Sequence, residues 1–353
     1  MITKLELNNF RCFQNFVIEG FRPVTLIAGA NGVGKSTILE SIFLFNERNS
    51  HNVFTILNSF RGIHHNQLSM TMLWEHLFTN SDVNNIITIS STTKHLEKQC
   101  LTLEKDSTFS LFSLPELKSQ AHLLGYPDQD AYSLKLVYND STHNDTSLFT
   151  VTANNIILTS HQPILTSNNT HYICSKISYT SQHVAEWYGK ILKGNKSQQC
   201  IDILQILDKR ITQIYALPQG GTSTLFVKFE SMPDLPINAL GDGINKLITT
   251  ILVMLSHRSA MILIDEIENG FHYSFFPKLW EIIGKLATET ECQVIATSHS
   301  YECIHSAECL AADTANPELF RFIRLDRHNS VISSKKYENE QFIYAINSGW
   351  EVR

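Results

Sequence analysis

The sequence predicts an α/β fold: a mixed, twisted sheet covered by helices, interrupted by a large β-rich and helical insertion. Three observations carry the prediction. Val24-Thr25-Leu26-Ile27-Ala28, Met261-Ile262-Leu263-Ile264 and Gln293-Val294-Ile295-Ala296-Thr297 are apolar runs of strand length. Amphipathic helical patterns alternate with them, and continuous apolar strands alternating with helices imply parallel strands covered on both faces. From residue 49 to residue 236 the texture changes, with Asn, Ser, Thr and His frequent and short alternating runs in place of long apolar ones.

The first part, residues 1–48, opens with Leu5 and Leu7 alternating with polar neighbours, as in a half-buried strand. Asn8-Asn9-Phe10-Arg11-Cys12-Phe13 reads as a turn. The Val24 run then leads into Gly29-Ala30-Asn31-Gly32-Val33-Gly34-Lys35-Ser36, and Ile38, Leu39, Ile42 and Phe43 follow at helical spacing. Strand, glycine-rich turn and helix in that order form a phosphate-binding loop, so the chain is expected to be a P-loop NTPase. Glycines let the backbone curl until successive N–H groups face an anion. Asn31, Gly32, Val33, Gly34 and Thr37 are therefore candidate nucleotide contacts. Lys35 is expected to neutralise the β- and γ-phosphates of ATP, and Ser36 to help hold Mg²⁺.

In the insertion, Ser133–Tyr138 and Phe149–Thr152 read as short antiparallel strands. Val184 to Leu207 has a helical pattern through Trp187, Ile191, Ile201, Leu204 and Leu207. No heptad repeat is sustained, so a long coiled coil is not expected. From residue 237 to 353 the α/β pattern resumes. Ile244, Leu247, Ile248, Ile251, Leu252 and Leu255 line one helix face directly after Gly241-Asp242-Gly243. The Met261 run ends in Asp265 and Glu266. An acid at such a strand end can complete the metal site with Ser36, and the next acid is the candidate base for the attacking water. Phe276, Leu279, Trp280, Ile283 and Leu286 mark a further helix. The Gln293 run ends in Ser298-His299-Ser300, where His299 can hydrogen-bond a γ-phosphate. Leu319 to Leu325 reads as a strand, Asp326 to Ser330 as a turn, and a second strand and a short helix close the chain.

Composition sets outer bounds. The chain has 353 residues, long enough for one large elaborated domain or two of ordinary size, and 43% are hydrophobic. No apolar run reaches membrane-spanning length and the amino terminus has no secretory pattern, which predicts a soluble cytoplasmic protein. Seven cysteines occur without a Cys-x-x-Cys pair, as expected for reduced thiols. A net charge of −6 restricts DNA contact to a local patch. Two groups qualify: Lys190, Lys193, Lys196, Lys209 and Arg210, and Arg321, Arg324, Arg327, Lys335 and Lys336. A solvated face is the alternative for each.

The opening Leu5-Glu6-Leu7-Asn8-Asn9-Phe10-Arg11-Cys12-Phe13, the phosphate loop, and Ile264-Asp265-Glu266-Ile267-Glu268-Asn269-Gly270-Phe271-His272 resemble the ABC-type ATPases of the SMC, RecF and OLD group. The resemblance covers residues 1–45 and 237–300. It implies ATPase heads that dimerise head to tail, with Gly241-Asp242-Gly243 at the position of the signature loop that closes on the partner's nucleotide. The family's Ser-Gly-Gly is absent there. The resemblance also places Arg11 near the phosphates, and Gln67 is the candidate for the metal-sensing glutamine. It further implies a homodimer or higher homo-oligomer acting as a switch for a separate effector, a nuclease or toxin, as in two-gene antiviral defence systems. A RecF-like DNA repair ATPase and a transporter's nucleotide-binding subunit are the alternatives. About fifty residues follow Ser300, too few for a further domain of ordinary size, so the chain alone is expected to have no nuclease activity.

Overall fold

Pairing between distant stretches, more than local pattern, organises the chain. In the computed structural model, residues 1–63, 73–106, 132–151, 156–160, 169–176, 179–219, 221–329 and 331–351 are described. The first elements are β1 (Ile2–Phe10), β2 (Phe13–Glu19), β3 (Val24–Gly29), α1 (Lys35–Glu47) and α2 (Val53–Phe60). Then come β4 (Ile87–Thr93), β5 (Lys98–Asp106), β6 (Tyr132–Asn139), β7 (Asn144–Val151), β8 (Ile156–Ser160) and β9 (Thr170–Ile173). Helices α3 (Ser181–Lys193) and α4 (Ser197–Leu207) precede β10 (Ile211–Gln219), β11 (Thr222–Phe229) and β12 (Leu235–Pro236). The last stretch is α5 (Asp242–Ser256), β13 (Met261–Ile264), α6 (Phe276–Thr290), β14 (Gln293–Ser298), α7 (Tyr301–Ser306), α8 (Glu308–Ala311), β15 (Phe320–His328), β16 (Val331–Tyr337) and α9 (Asn339–Asn347).

Two compact units result. One comprises Met1, Gly20–Leu39 and Asn169–Arg353. Its six-stranded sheet has the order β16-β15-β3-β14-β13-β9, parallel except for the antiparallel edge strand β16. Every residue of β3 and β14 is buried, which explains why both runs lack polar alternation. The faces are covered by amphipathic helices, with Leu247, Ile251 and Leu255 of α5 and Leu279, Trp280 and Ile283 of α6 in one continuous core. A three-stranded sheet, β10-β11-β12, and helices α3 and α4 pack into the same unit. The helical pattern from Val184 to Leu207 is two helices, divided at Gly194 and at Asn195, whose φ is 55°.

The second unit comprises Ile2–Glu19 and Glu40–Asn168. Its antiparallel sheet has the order β2-β1-β4-β5-β6-β7-β8. Leu5, Leu7, Ile87, Ile89, Leu101 and Leu103 are buried at alternate positions, and Phe54 meets Phe149 edge-on with ring centroids 4.9 Å apart. These units are bounded differently from the divisions at 48 and 236 drawn from composition. The opening strands pair with strands of the insertion, Leu5 opposite Ser91, and residues 169–236 pack with the nucleotide-loop unit. Composition reports solvent exposure of turns, whereas unit membership depends on strand partners far away in sequence.

Two further readings are adjusted. Asp326, Arg327 and His328, expected in a turn, lie in β15, whose His328 pairs with Val331 of β16, and Ser330 lies outside the described residues. Gln67 and Thr152 lie outside the described residues. Among the described residues, no helix is long and apolar enough to cross a membrane.

Candidate nucleotide site

The phosphate loop leaves the buried end of β3 and enters α1. Gly29, Gly32 and Gly34 all have positive φ, at 146°, 78° and 93°. A Cβ on Gly29 would lie 2.5 Å from the Leu325 carbonyl oxygen, so glycine there also permits the close approach of β15. Ala30, Asn31 and Gly32 are exposed at the loop tip, whereas Val33, Lys35 and Thr37 are buried. The Lys35 ammonium donates to the carbonyls of Gly29 at 2.7 Å and Ala30 at 3.1 Å. Burial holds this amine below the usual lysine range, against the opposing pull of Glu268, Asp265 and Glu266.

The acidic strand meets this loop. Ser36 Oγ donates to Asp265 Oδ1 at 3.0 Å, joining residues 229 positions apart. Thr297 Oγ1, at the end of β14, donates to the same oxygen at 2.6 Å, and the Tyr172 hydroxyl of β9 donates to Oδ2 at 3.3 Å. Hydroxyl and carboxylate oxygens in one cluster are the hard donors that Mg²⁺ prefers, so the residues present fit that ion.

The peptide between Asp265 and Glu266 is pinned on both sides. Lys246 Nζ donates to the Asp265 carbonyl at 3.0 Å and to the Glu266 carbonyl at 2.7 Å, while the Glu266 N–H donates to Thr297 Oγ1 at 2.9 Å. Burial also lowers the pKa of Lys246. Glu266 itself has φ 47°, a region costing about 1 kcal/mol or more for a non-glycine residue and concentrated at functional sites. Its Oε2 accepts a 2.5 Å hydrogen bond from Asn269 Nδ2.

His299 sits beyond β14 with its side chain 45% exposed. Glu268, only 7% exposed, accepts from the His299 N–H at 2.8 Å and the Ser300 N–H at 3.2 Å, and its Oε1 lies 2.9 Å from His299 Nδ1. A carboxylate on Nδ1 fixes the ring orientation and leaves Nε2 as the free edge.

Gly241 caps α5, and Asp242 is exposed at its first turn. Gly243 is buried: a Cβ there would lie 2.2 Å from the Gly270 carbonyl oxygen, so two backbones touch without side chains between them. Tight packing of the helix start on the acidic loop therefore accounts for this glycine. Arg11 lies in the other unit, with Nε 2.7 Å from Glu40 Oε2, and Arg61 pairs with the same carboxylate at 2.8 Å. Its guanidinium is thus engaged by a buried acid.

Four members of the two candidate basic groups have partners. Lys190 donates to His257 Nε2 at 2.7 Å, Arg210 pairs with Asp208 at 2.7 Å, Arg321 with Glu338 at 2.7 Å, and Arg324 with Asp326 at 2.9 Å.

The sequence reading missed Tyr172, Lys246, Glu268, Asn269 and Thr297 as parts of this cluster. Some left a signal. Lys246 is the one basic residue in α5, and Thr297 ends an apolar run two residues before the histidine. Tyr172 left none, since only strand pairing brings β9 beside β13.

The family model described as "AAA ATPase domain" matches residues 1–218, more than half of the chain. The chain belongs to the AAA ATPase domain family. A second model, "AAA domain, putative AbiEii toxin, Type IV TA system", matches residues 188–304. This family member is 22% identical over 362 aligned residues to a Helicobacter pylori "ATP/GTP phosphatase", covering 98% of this chain and 97% of that one. It is 47% identical over 51 residues to the "DNA replication and repair protein RecF" of Acholeplasma laidlawii, covering 14% of this chain and 15% of the relative. Its fold is similar to that of the SMC head solved in complex with the C-terminal winged-helix domain of ScpA, with TM-score 0.52, 14% identity, and 96% and 98% of the two chains covered. Together the matches support an SMC/RecF/OLD-like ABC-type ATPase.

Proposed function

We propose that the chain hydrolyses ATP to ADP and phosphate as a head-to-tail homodimer or higher homo-oligomer, and that nucleotide state switches a separate effector in DNA-related antiviral defence. The effector is a nuclease or toxin, and the chain itself does not cut DNA. The Ser36–Asp265 hydrogen bond carries the reading, because it joins the phosphate loop to the acidic strand in one cluster. The unit that holds residues 20–39 and 169–353, Tyr172 and Asp265 among them, supplies the nucleotide chemistry, and the remainder of the insertion, residues 49–168, receives or transmits the signal.

Ser36 and Asp265 would hold Mg²⁺, which when bound supplies neutralisation of phosphate charge. Lys35 exchanges two backbone carbonyls for phosphate oxygens, and the loop N–H groups of Asn31 to Thr37 surround the β-phosphate. Glu266 polarises the attacking water by accepting its proton, once Asn269 releases Oε2. His299 presents Nε2 to the γ-phosphate. The start of α5, at Gly241, Asp242 and Gly243, meets the nucleotide of the opposite subunit, where backbone N–H groups favour an anion. A composite site of this kind turns over slowly until two subunits align.

A second reading is supported by the RecF match over 51 residues: a DNA repair ATPase whose turnover is stimulated by DNA ends or gaps. Because the Helicobacter relative carries the name ATP/GTP phosphatase, GTP is the nucleotide to assay beside ATP.

Glu266→Gln tests the proposal. The variant should bind ATP, fail to hydrolyse it and accumulate as a dimer on size-exclusion chromatography with light scattering. Turnover at the wild-type rate sinks the assignment. Stimulation of the wild type by DNA ends without any effector selects the repair reading.

A further inference from the structure

We infer that Arg327 is a positioning residue for the phosphate loop, one that sets the direction of a phosphate-binding N–H and adds positive charge at the loop tip. The inference rests on the nucleotide reading above. Strand β15 pairs with β3 up to Leu325 opposite Gly29, and its backbone comes so close that the Leu325 oxygen would meet a Cβ on Gly29. Two residues farther on, where β15 runs past the end of β3, Arg327 Nη2 donates to the Gly32 carbonyl at 2.7 Å.

That contact has a geometric consequence. The chain has no cis peptide among its described residues, so the Gly32–Val33 unit is trans and its C=O and N–H point to opposite sides. Turning the Gly32 carbonyl toward Arg327 turns the Val33 N–H the other way, among the backbone donors that such a loop offers to its anion. Gly32 has φ 78° and no atom within 4 Å of an added Cβ. No side chain therefore crowds this position, and the Arg327 bond to the Gly32 carbonyl is made at an open face of the loop.

Charge points the same way. Of the three arginines on β15, Arg321 and Arg324 are paired with Glu338 and Asp326. Arg327 has no carboxylate within ion-pair distance among the described residues, so no direct acidic partner cancels the positive charge it places beside the loop.

The test is direct titration of a fluorescent ATP analogue and an ADP analogue into wild type, Arg327→Ala, Arg327→Gln and Arg327→Lys, alongside steady-state kinetics and thermal melts. Arg327→Ala should raise both dissociation constants and KM about tenfold, with kcat within about twofold. Arg327→Lys, which keeps a charge and a donor, should recover part of the loss, and Arg327→Gln less. Wild-type affinity in a folded Arg327→Ala protein overturns the inference. So does an equal fall in kcat with KM unchanged. If the alanine variant does not fold, the lysine and glutamine variants decide by their order of affinity, and equal wild-type affinity in both overturns it. Lys35→Ala is the control for the underlying reading: if it still binds nucleotide, that reading fails, whereas loss there with no effect at Arg327 sinks only the present inference.

Discussion

Glu268 grips His299 twice, through the backbone N–H at 2.8 Å and through the ring Nδ1 at 2.9 Å. The carboxylate comes from the loop after β13 and the histidine from the residue that follows β14, so the two strand ends are locked to each other. One oxygen of Glu268 takes these bonds, and the other is buried without a hydrogen-bond partner among the described residues. Glu268→Gln can preserve shape while removing the charge. We expect it to lower kcat about tenfold or more, as loss of a charged orienting partner does, with nucleotide affinity nearly unchanged. Single-turnover kinetics and a binding titration separate the two effects, and equal loss in both would show that Glu268 only holds the fold.

Lys246 anchors the carbonyls of Asp265 and Glu266 from inside α5. Lys246→Met keeps most of the stem and removes three donors, leaving two carbonyls unsatisfied. Stability should fall by about 1–3 kcal/mol and hydrolysis should fall further than stability explains. Urea unfolding beside ATP turnover measures both, and unaltered turnover would detach Lys246 from the site.

Gly243→Ala introduces a methyl group where the Gly270 oxygen already stands 2.2 Å away. Either α5 or the acidic loop has to move, at a cost of about 1–3 kcal/mol. A lowered melting temperature is the expected result. Gly241→Ala, where nothing lies within 4 Å of the added atom, is the matched control and should melt close to wild type.

Acid should destabilise the unit that contains His171. This ring is 8% exposed against Trp187, Tyr179 and His257, and burial, reinforced by the charges of His257, Lys190 and His183, pushes its pKa from 6.5 down to about 3. Between those values the unfolded chain binds the proton and the folded chain does not. The stability associated with neutral His171 is therefore complete above pH 6.5 and declines as pH falls toward 3, by up to about 1.4 kcal/mol per unit. His171→Phe should flatten that slope in urea titrations between pH 6.5 and 4. An unchanged slope would place the acid sensitivity elsewhere.

Much of the candidate site was legible in sequence because phosphate chemistry imposes short-range spacing. Glycines at 29, 32 and 34, the Lys35-Ser36 pair and the strand before them follow from the need to curl a backbone around an anion, and each is local. Asp265, Glu266 and His299 were legible for a related reason, as polar residues terminating buried strands. Lys246 and Thr297 left fainter marks, the one cation in α5 and a hydroxyl at the end of an apolar run. Tyr172, Glu268's hold on His299, and Arg327's bond to Gly32 had no local spacing to reveal them.

By itself, then, the sequence determined the nucleotide loop, the apolar strands that end in acid and histidine, and the alternation that makes an α/β sheet, since these depend on neighbours a few residues apart. The tertiary structure decided which residues share a unit and which partner each polar group finds. Residues 2–19 join strands from the insertion, β9 lies beside β13, and β15 reaches the phosphate loop, because hydrogen bonding between strands couples residues tens to hundreds of positions apart and leaves no period in the chain.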